Sequence, residues 1–154
     1  MSLVQILEET KGKDGRRIIK VAKEHLLELM RELKSQGFNL SLITGVDRKD
    51  RLEVVYHLYS LEKNTYVVVK TETMDERVPS VTSLWSSANW DEREQYDMLG
   101  IVFEGGHPNL KRIFLPESWV GYPLRKNYDL SKVQYINMDE EGNDYATFDP
   151  NDGW

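Results

Sequence analysis

The feature that most constrains this chain is one amphipathic helix pattern followed, with little linker, by three strand-like runs. Within 22–36, Leu26, Leu29, Met30 and Leu33 fall at i, i+3, i+4 and i+7, and Gly37 stands where a C-terminal cap belongs. The runs at 38–46, 52–61 and 66–73 come next. The middle one, LEVVYHLYSL, places Val54, Tyr56, Leu58 and Ser60 on one face and Val55, His57, Tyr59 and Leu61 on the other. The connections are short, so adjacent runs are expected to pair antiparallel. Upstream, 3–9 and 16–21 flank Lys11-Gly12-Lys13-Asp14-Gly15 and read as a hairpin. One helix over such a meander gives a two-layer α+β domain, a mainly antiparallel sheet covered by helices.

After Pro79 the pattern changes. Asn89 is placed to cap a short helix, with Glu92 three residues on as its reciprocal partner and Gly100 as its terminator. In that helix Arg93 and Asp97 are i, i+4 neighbours and can pair. Beyond it, Gly105, Gly106, Pro108, Pro116, Gly121 and Pro123 leave room for little regular structure, with one short strand expected at 112–115. The organisation read from this is an α+β domain over 1–100, an irregular segment over 101–128 and an acidic extended tail over 129–154.

Charge sharpens the division. The net charge of −6 resides wholly in 129–154, where seven acids accompany Lys132; the rest of the chain balances at 19 bases and 19 acids. A neutral body without a basic stripe argues against nucleic acid and against an anionic lipid surface. No apolar run reaches the roughly 20 residues of a membrane-spanning helix. The first residues show no basic, apolar leader, and there is no cysteine, which suits a reducing compartment. A cytoplasmic protein without direct membrane insertion is the expectation. The tail mixes its acids with Tyr135, Ile136, Met138, Tyr145, Phe148 and Trp154. Two readings stand: a mobile terminus, or an arm that orders on a partner with the aromatics as anchors.

Catalytic motifs are scarce. His25, His57 and His107 are scattered without metal-ligand spacing, and absent cysteine removes thiolate ligation and thiol nucleophiles. No phosphate-cradling loop or nucleophile elbow occurs. A free-standing enzyme using His107 and a carboxylate remains the alternative from another class. The stretch 85–128 stands out instead: three Trp, three Tyr, three Pro and four Gly, interleaved with Arg93, Glu94, Asp97, Arg112, Arg125 and Lys126. It reads either as a loop packed on its own domain or as a surface of rigid aromatic and arginine anchors for a large partner.

Two motif runs carry a family resemblance. The first is Glu92-Arg93-Glu94-Gln95-Tyr96-Asp97-Met98-Leu99-Gly100-Ile101. The second goes from Gly106-His107-Pro108-Asn109-Leu110-Lys111-Arg112-Ile113 through Leu115-Pro116 to Trp119-Val120-Gly121-Tyr122-Pro123-Leu124-Arg125-Lys126-Asn127-Tyr128. Together they resemble the signature of the C subunit of respiratory NADH:quinone oxidoreductase (complex I). The same family includes the equivalent subunit of membrane-bound energy-converting nickel–iron hydrogenases. The second glycine of Gly105-Gly106, and Asn127 where an Asp is usual, depart from the pattern. The resemblance implies a subunit with no catalytic site and no cofactor of its own, lying peripherally on the cytoplasmic side of a membrane complex. Iron–sulfur clusters, and a quinone or nickel–iron site, would belong to partner subunits, and this chain would hold the large catalytic and iron–sulfur subunits together. The expected docking residues are Trp90, Arg93, Glu94, Tyr96, Asp97, His107, Pro108, Arg112, Trp119, Tyr122, Arg125 and Tyr128.

Overall fold

A computed structural model describes residues 5–149 and 151; Leu3 and Val4 of the first expected strand, and Pro150, Asp152, Gly153 and Trp154 of the tail, lie outside them. Helix α1 (Leu26–Ser35) follows a short 3-10 turn at Lys23–His25. Its end closes as the sequence requires. Gly37, at φ +93°, donates its N–H to the Lys34 carbonyl (3.0 Å), and the Phe38 N–H donates to that of Leu33 (3.1 Å). Leu26, Leu29, Met30 and Leu33 are all buried.

Strands β1 (Ile6–Lys11), β2 (Arg17–Val21), β3 (Asn39–Asp47), β4 (Leu52–Ser60) and β5 (Thr65–Thr73) form one sheet in the order β1-β2-β5-β4-β3. The expected hairpin and meander are present, and the sheet is mostly antiparallel. One pairing is parallel: β2 runs beside β5, with Arg17 opposite Val67 and Lys20 opposite Lys70. Alternation alone does not reveal it, because α1, β3 and β4 together make the crossover. Val54, Tyr56, Leu58 and Ser60 face inward as expected and are fully buried; the three apolar members join Ile19, Val21, Val67, Val69 and the α1 leucines in one core.

Strands β6 (Arg77–Pro79) and β7 (Val102–Glu104) pair in parallel and bracket helix α2 (Ala88–Leu99). Gln95 ties this helix to the sheet edge: its Nε2 donates to the Ile43 carbonyl (3.2 Å), and the Gly45 N–H donates to its Oε1 (2.9 Å). A Cβ at Gly45 would lie 3.0 Å from Ile101 Cδ1 and closer still to Leu99 Cδ1, so glycine lets α2 approach β3. At the helix end Gly100 adopts φ +74° and donates its N–H to the Tyr96 carbonyl (2.9 Å).

Two local expectations fail. The reciprocal Asn89–Glu92 cap does not form: α2 begins after Ser87 with no side-chain cap. Glu92 turns inward instead, accepting the Val81 N–H (2.7 Å) and the Ser80 hydroxyl (2.8 Å). No strand forms at 112–115, because the amides of Ile113, Phe114 and Leu115 donate to a carboxylate rather than to a neighbouring strand. Within the acidic segment, β8 (Gln134–Met138) and β9 (Asp144–Phe148) form a separate antiparallel hairpin. Its turn is organised by Asp139 Oδ1, which accepts the N–H groups of Glu141 (2.9 Å) and Asn143 (2.8 Å).

Candidate partner-docking surface

The irregular segment is built around Asp97. This residue sits in the last turn of α2 with its side chain fully buried, and its Oδ2 accepts three consecutive amides: Ile113 (3.1 Å), Phe114 (2.7 Å) and Leu115 (3.2 Å). Its Oδ1 accepts Arg112 Nη1 at 2.9 Å. The guanidinium of Arg112 also donates to the carbonyls of Asp97 (3.0 Å), Trp119 (3.1 Å) and Gly121 (2.9 Å), and it lies 5.0 Å from the Tyr122 ring centroid. One buried ion pair thereby gathers backbone groups from three turns of chain that have no ladder partners of their own. A charge pair this enclosed is tolerable only when its polar atoms find partners, and here both guanidinium Nη groups and both carboxylate oxygens are bonded.

Two further arginines repeat the pattern. Arg93 donates through Nε to the Lys111 carbonyl (3.0 Å) and through Nη2 to that of Arg112 (3.1 Å), with its guanidinium 4.9 Å from the Trp90 ring. The expected Arg93–Asp97 pair is therefore replaced by Arg112–Asp97, because Asp97 faces the interior. Arg125 donates to the Leu99 carbonyl and pairs with Glu76 (3.0 Å). The Leu124 N–H donates to the Met98 carbonyl (2.9 Å), and the Lys126 N–H donates to Asp47 (2.8 Å). The Lys126 and Lys49 amides hold the Asp47 carboxyl below its ordinary value.

His107 lies over the first turn of α2. Its Nδ1 accepts the Asn109 N–H (3.0 Å), which leaves the ring proton on Nε2 to donate to the Asn89 carbonyl (3.1 Å). Glu92 Oε2 is 4.0 Å from that nitrogen, and the two side chains are 1% and 0% exposed. The alternative reading of His107 with a carboxylate thus finds its acidic neighbour, but in a site sealed from substrate. Burial raises the Glu92 carboxyl to about 7 against the lowering effect of its two hydrogen bonds. Among the described residues no cluster of three His, Asp or Glu side chains could hold a metal ion.

The twelve expected docking residues therefore divide by direction. Asp97, Arg112, His107, Arg93 and Arg125 spend their polar groups on the chain itself. Tyr96 and Tyr122 are half-buried with ring centroids 6.3 Å apart, and Trp119 and Tyr128 are also half-buried. Glu94 is half-buried, and Pro108 is exposed. Trp90 alone combines a large aromatic surface with exposure, at 61%. Sequence reasoning missed Phe114 and Leu124, which are 63% and 62% exposed, and also Val120, Leu130 and Val133. Of the sixteen large hydrophobics exposed among the described residues, eleven lie at or after Trp90. No local sequence signal marks them, because their exposure follows from the arginines being committed to distant backbone carbonyls. The hairpin continues this surface, fixed to the segment where Ser118 Oγ accepts the Ala146 N–H (2.7 Å) and Gln134 makes two bonds to the Val120 backbone.

A family profile described as the respiratory-chain NADH dehydrogenase 30 Kd subunit matches residues 19–134. The chain belongs to that family. NADH-quinone oxidoreductase subunit 5 of Thermus thermophilus is 40% identical over 156 residues, covering 86% of this chain and 75% of that protein. Among solved structures, a trypsin-resistant fragment of Nqo5 is similar at a TM-score of 0.62 and 38% identity, covering 67% of this chain and 89% of the fragment. A chain of the membrane-bound sulfane sulfur reductase, an archaeal respiratory membrane complex, is similar at a TM-score of 0.70 and 31% identity, covering 80% and 77%. The resemblance read from 92–128 is borne out, and membership of the 30 Kd family makes this chain a subunit of an oxidoreductase complex of the complex I type. Among the described residues no helix is long and apolar enough to cross a membrane.

Proposed function

We propose that this chain is a non-catalytic, peripheral-arm subunit that holds the large catalytic subunit and the iron–sulfur subunits of its complex in register on the cytoplasmic side. The observation that carries the reading is the concentration of exposed apolar side chains on a segment whose polar groups are satisfied internally. A monomer gains nothing by leaving Trp90, Phe114 and Leu124 in water, whereas a partner that buries them gains about 25 cal/mol per Å² of apolar area. Rigid aromatic anchors beside arginine are the composition of interface centres. The absence of cysteine supports assigning the iron–sulfur clusters, and the quinone or nickel–iron site, to the partners. Electron transfer depends on fixed spacing, so a subunit that carries no electron still matters to it.

The test is assembly in native membranes. A Trp90→Ser, Phe114→Ser, Leu124→Ser variant removes only outward-facing groups. It should melt within a few degrees of wild type yet fail to co-purify with the large subunit. Unchanged co-purification would overturn the reading. Arg93→Ala and Arg125→Ala are unsuitable for this purpose, since both arginines hold the chain's own carbonyls.

A further inference from the structure

The buried carboxyl of Glu92 is not used by the docking reading. It sits on the second turn of α2 with a side chain of 0% exposure, and a chain of hydroxyls leads from it to the surface. Glu92 Oε2 lies 2.8 Å from Ser80 Oγ, which lies 2.8 Å from Thr82 Oγ1, which donates to the Gly106 carbonyl at 3.0 Å. Ser80 is buried, Thr82 half-buried and Gly106 exposed. Beside the same oxygen stands the His107 Nε2–H, 4.0 Å away and bonded to the Asn89 carbonyl.

We propose that Glu92 is a proton-binding site of the folded chain, reached through Ser80 and Thr82, whose occupancy decides where the Gly106–His107 loop rests. When the carboxyl is protonated, its O–H donates to Ser80, Ser80 to Thr82 and Thr82 to the Gly106 carbonyl, while Ser80 Oγ also accepts the Thr82 N–H (3.2 Å). His107 then keeps its bond to Asn89. When the proton leaves to bulk water, the Ser80 hydroxyl turns back to the carboxylate. Thr82 loses that donor, and the buried anion becomes the stronger acceptor for the His107 Nε2–H. The ring must then move toward Glu92 and draw Gly106 with it. No bond between heavy atoms changes, and the only species exchanged is a proton.

The surroundings favour such a site. On its own helix the neighbouring charge is Asp91, which disfavours ionisation; β4 contributes Tyr56, whose buried hydroxyl has no hydrogen-bond partner; the loop after β7 contributes His107. The 80–82 turn brings hydroxyls and an amide but no charge. Nothing adjacent supplies a fixed cation, so the proton is the cheapest counter-charge. The resulting carboxyl value of about 7 places the exchange in the physiological range.

The test is a carboxyl-carbon and imidazole-nitrogen NMR titration of the full chain from pH 4.5 to 9. The Glu92 carboxyl is expected to titrate near 7 rather than at its ordinary 4.5, with the His107 ring nitrogens and the Gly106 amide shifting at the same midpoint. Glu92→Gln should abolish that shared transition and fix the loop signals at their low-pH positions. Thr82→Val should keep the Glu92 midpoint and the His107 response, and shrink the Gly106 shift to the part that follows the ring. A Glu92 midpoint in the ordinary carboxylate range overturns the proposal, as do loop signals that ignore it or a transition that persists in Glu92→Gln. The wild-type titration decides alone if either variant misfolds.

Discussion

The sheet body and the segment from 105 to 128 hold their chain in opposite ways. In the body, backbone groups pair with one another in ladders, and apolar side chains such as Tyr56, Leu58, Val67 and Val69 fill the interior. In the segment, backbone groups are gathered by charged side chains, and apolar residues such as Phe114 and Leu124 point outward. The first arrangement is what a domain needs in order to fold. The second spends charge to order a loop so that its hydrophobic surface is left free. An irregular chain can thus be rigid without a core of its own, provided a few carboxylates and guanidiniums replace the missing ladder.

The largest effect should come from breaking the charge hub. Arg112→Ala leaves Asp97 as an unpaired buried carboxylate and frees the carbonyls of Trp119 and Gly121, a loss of about 3–5 kcal/mol. Hydrogen exchange should accelerate at the Ile113–Leu115 amides while those of Val67 and Val69 stay protected. Equal loss of protection in the sheet would mean the two regions are not separable. A body mutation gives the converse. Leu58→Ala should cost about 2–5 kcal/mol and lower protection everywhere, because it opens a cavity in the shared core.

The next effect is one of pH. The Glu92 carboxyl is raised by burial in the fold, so its contribution to stability is complete below its ordinary 4.5 and is lost as pH rises through about 7. Denaturant midpoints should fall by the equivalent of about 3 kcal/mol across that window, and Glu92→Gln should flatten the dependence. At the seam of the two regions, Gly100→Ala should cost about 2 kcal/mol. The residue there has φ +74°, and the added Cβ would stand 2.6 Å from the Tyr122 ring; displacement of that ring, read by its proton shifts, checks the cause. The smallest stability effect should be at Trp90. Trp90→Ala should change folding by less than about 0.5 kcal/mol and show itself only in assembly.

What could be read from the sequence tracks how local its cause is. The α1 face, its Gly37 cap, the inward face of β4 and the Gly100 terminator depend on residues within a turn or two of each other, and all stand as read. The short strand expected at 112–115 does not form: a short apolar run cannot say whether its amides will meet a strand or a carboxylate. Asp97 found its partner fifteen residues away rather than at i−4, where helix geometry had pointed. Glu92 had the spacing of a cap but was drawn to the unpaired Val81 amide behind it. Phe114 and Leu124 were overlooked for a related reason: their exposure follows from where the arginines went, which no local pattern records.

The parallel alignment of β2 with β5 also bears on how the chain matures. Ile19 meets Val69 only after the whole intervening meander has closed. A two-stranded hairpin is at best marginally stable in isolation. At typical elongation rates its neighbour emerges from the ribosome several seconds later. Helix α1 with β3, β4 and β5 makes the lower-order contacts, so these elements should condense first, and the N-terminal ribbon should be zipped on as a late, slow event.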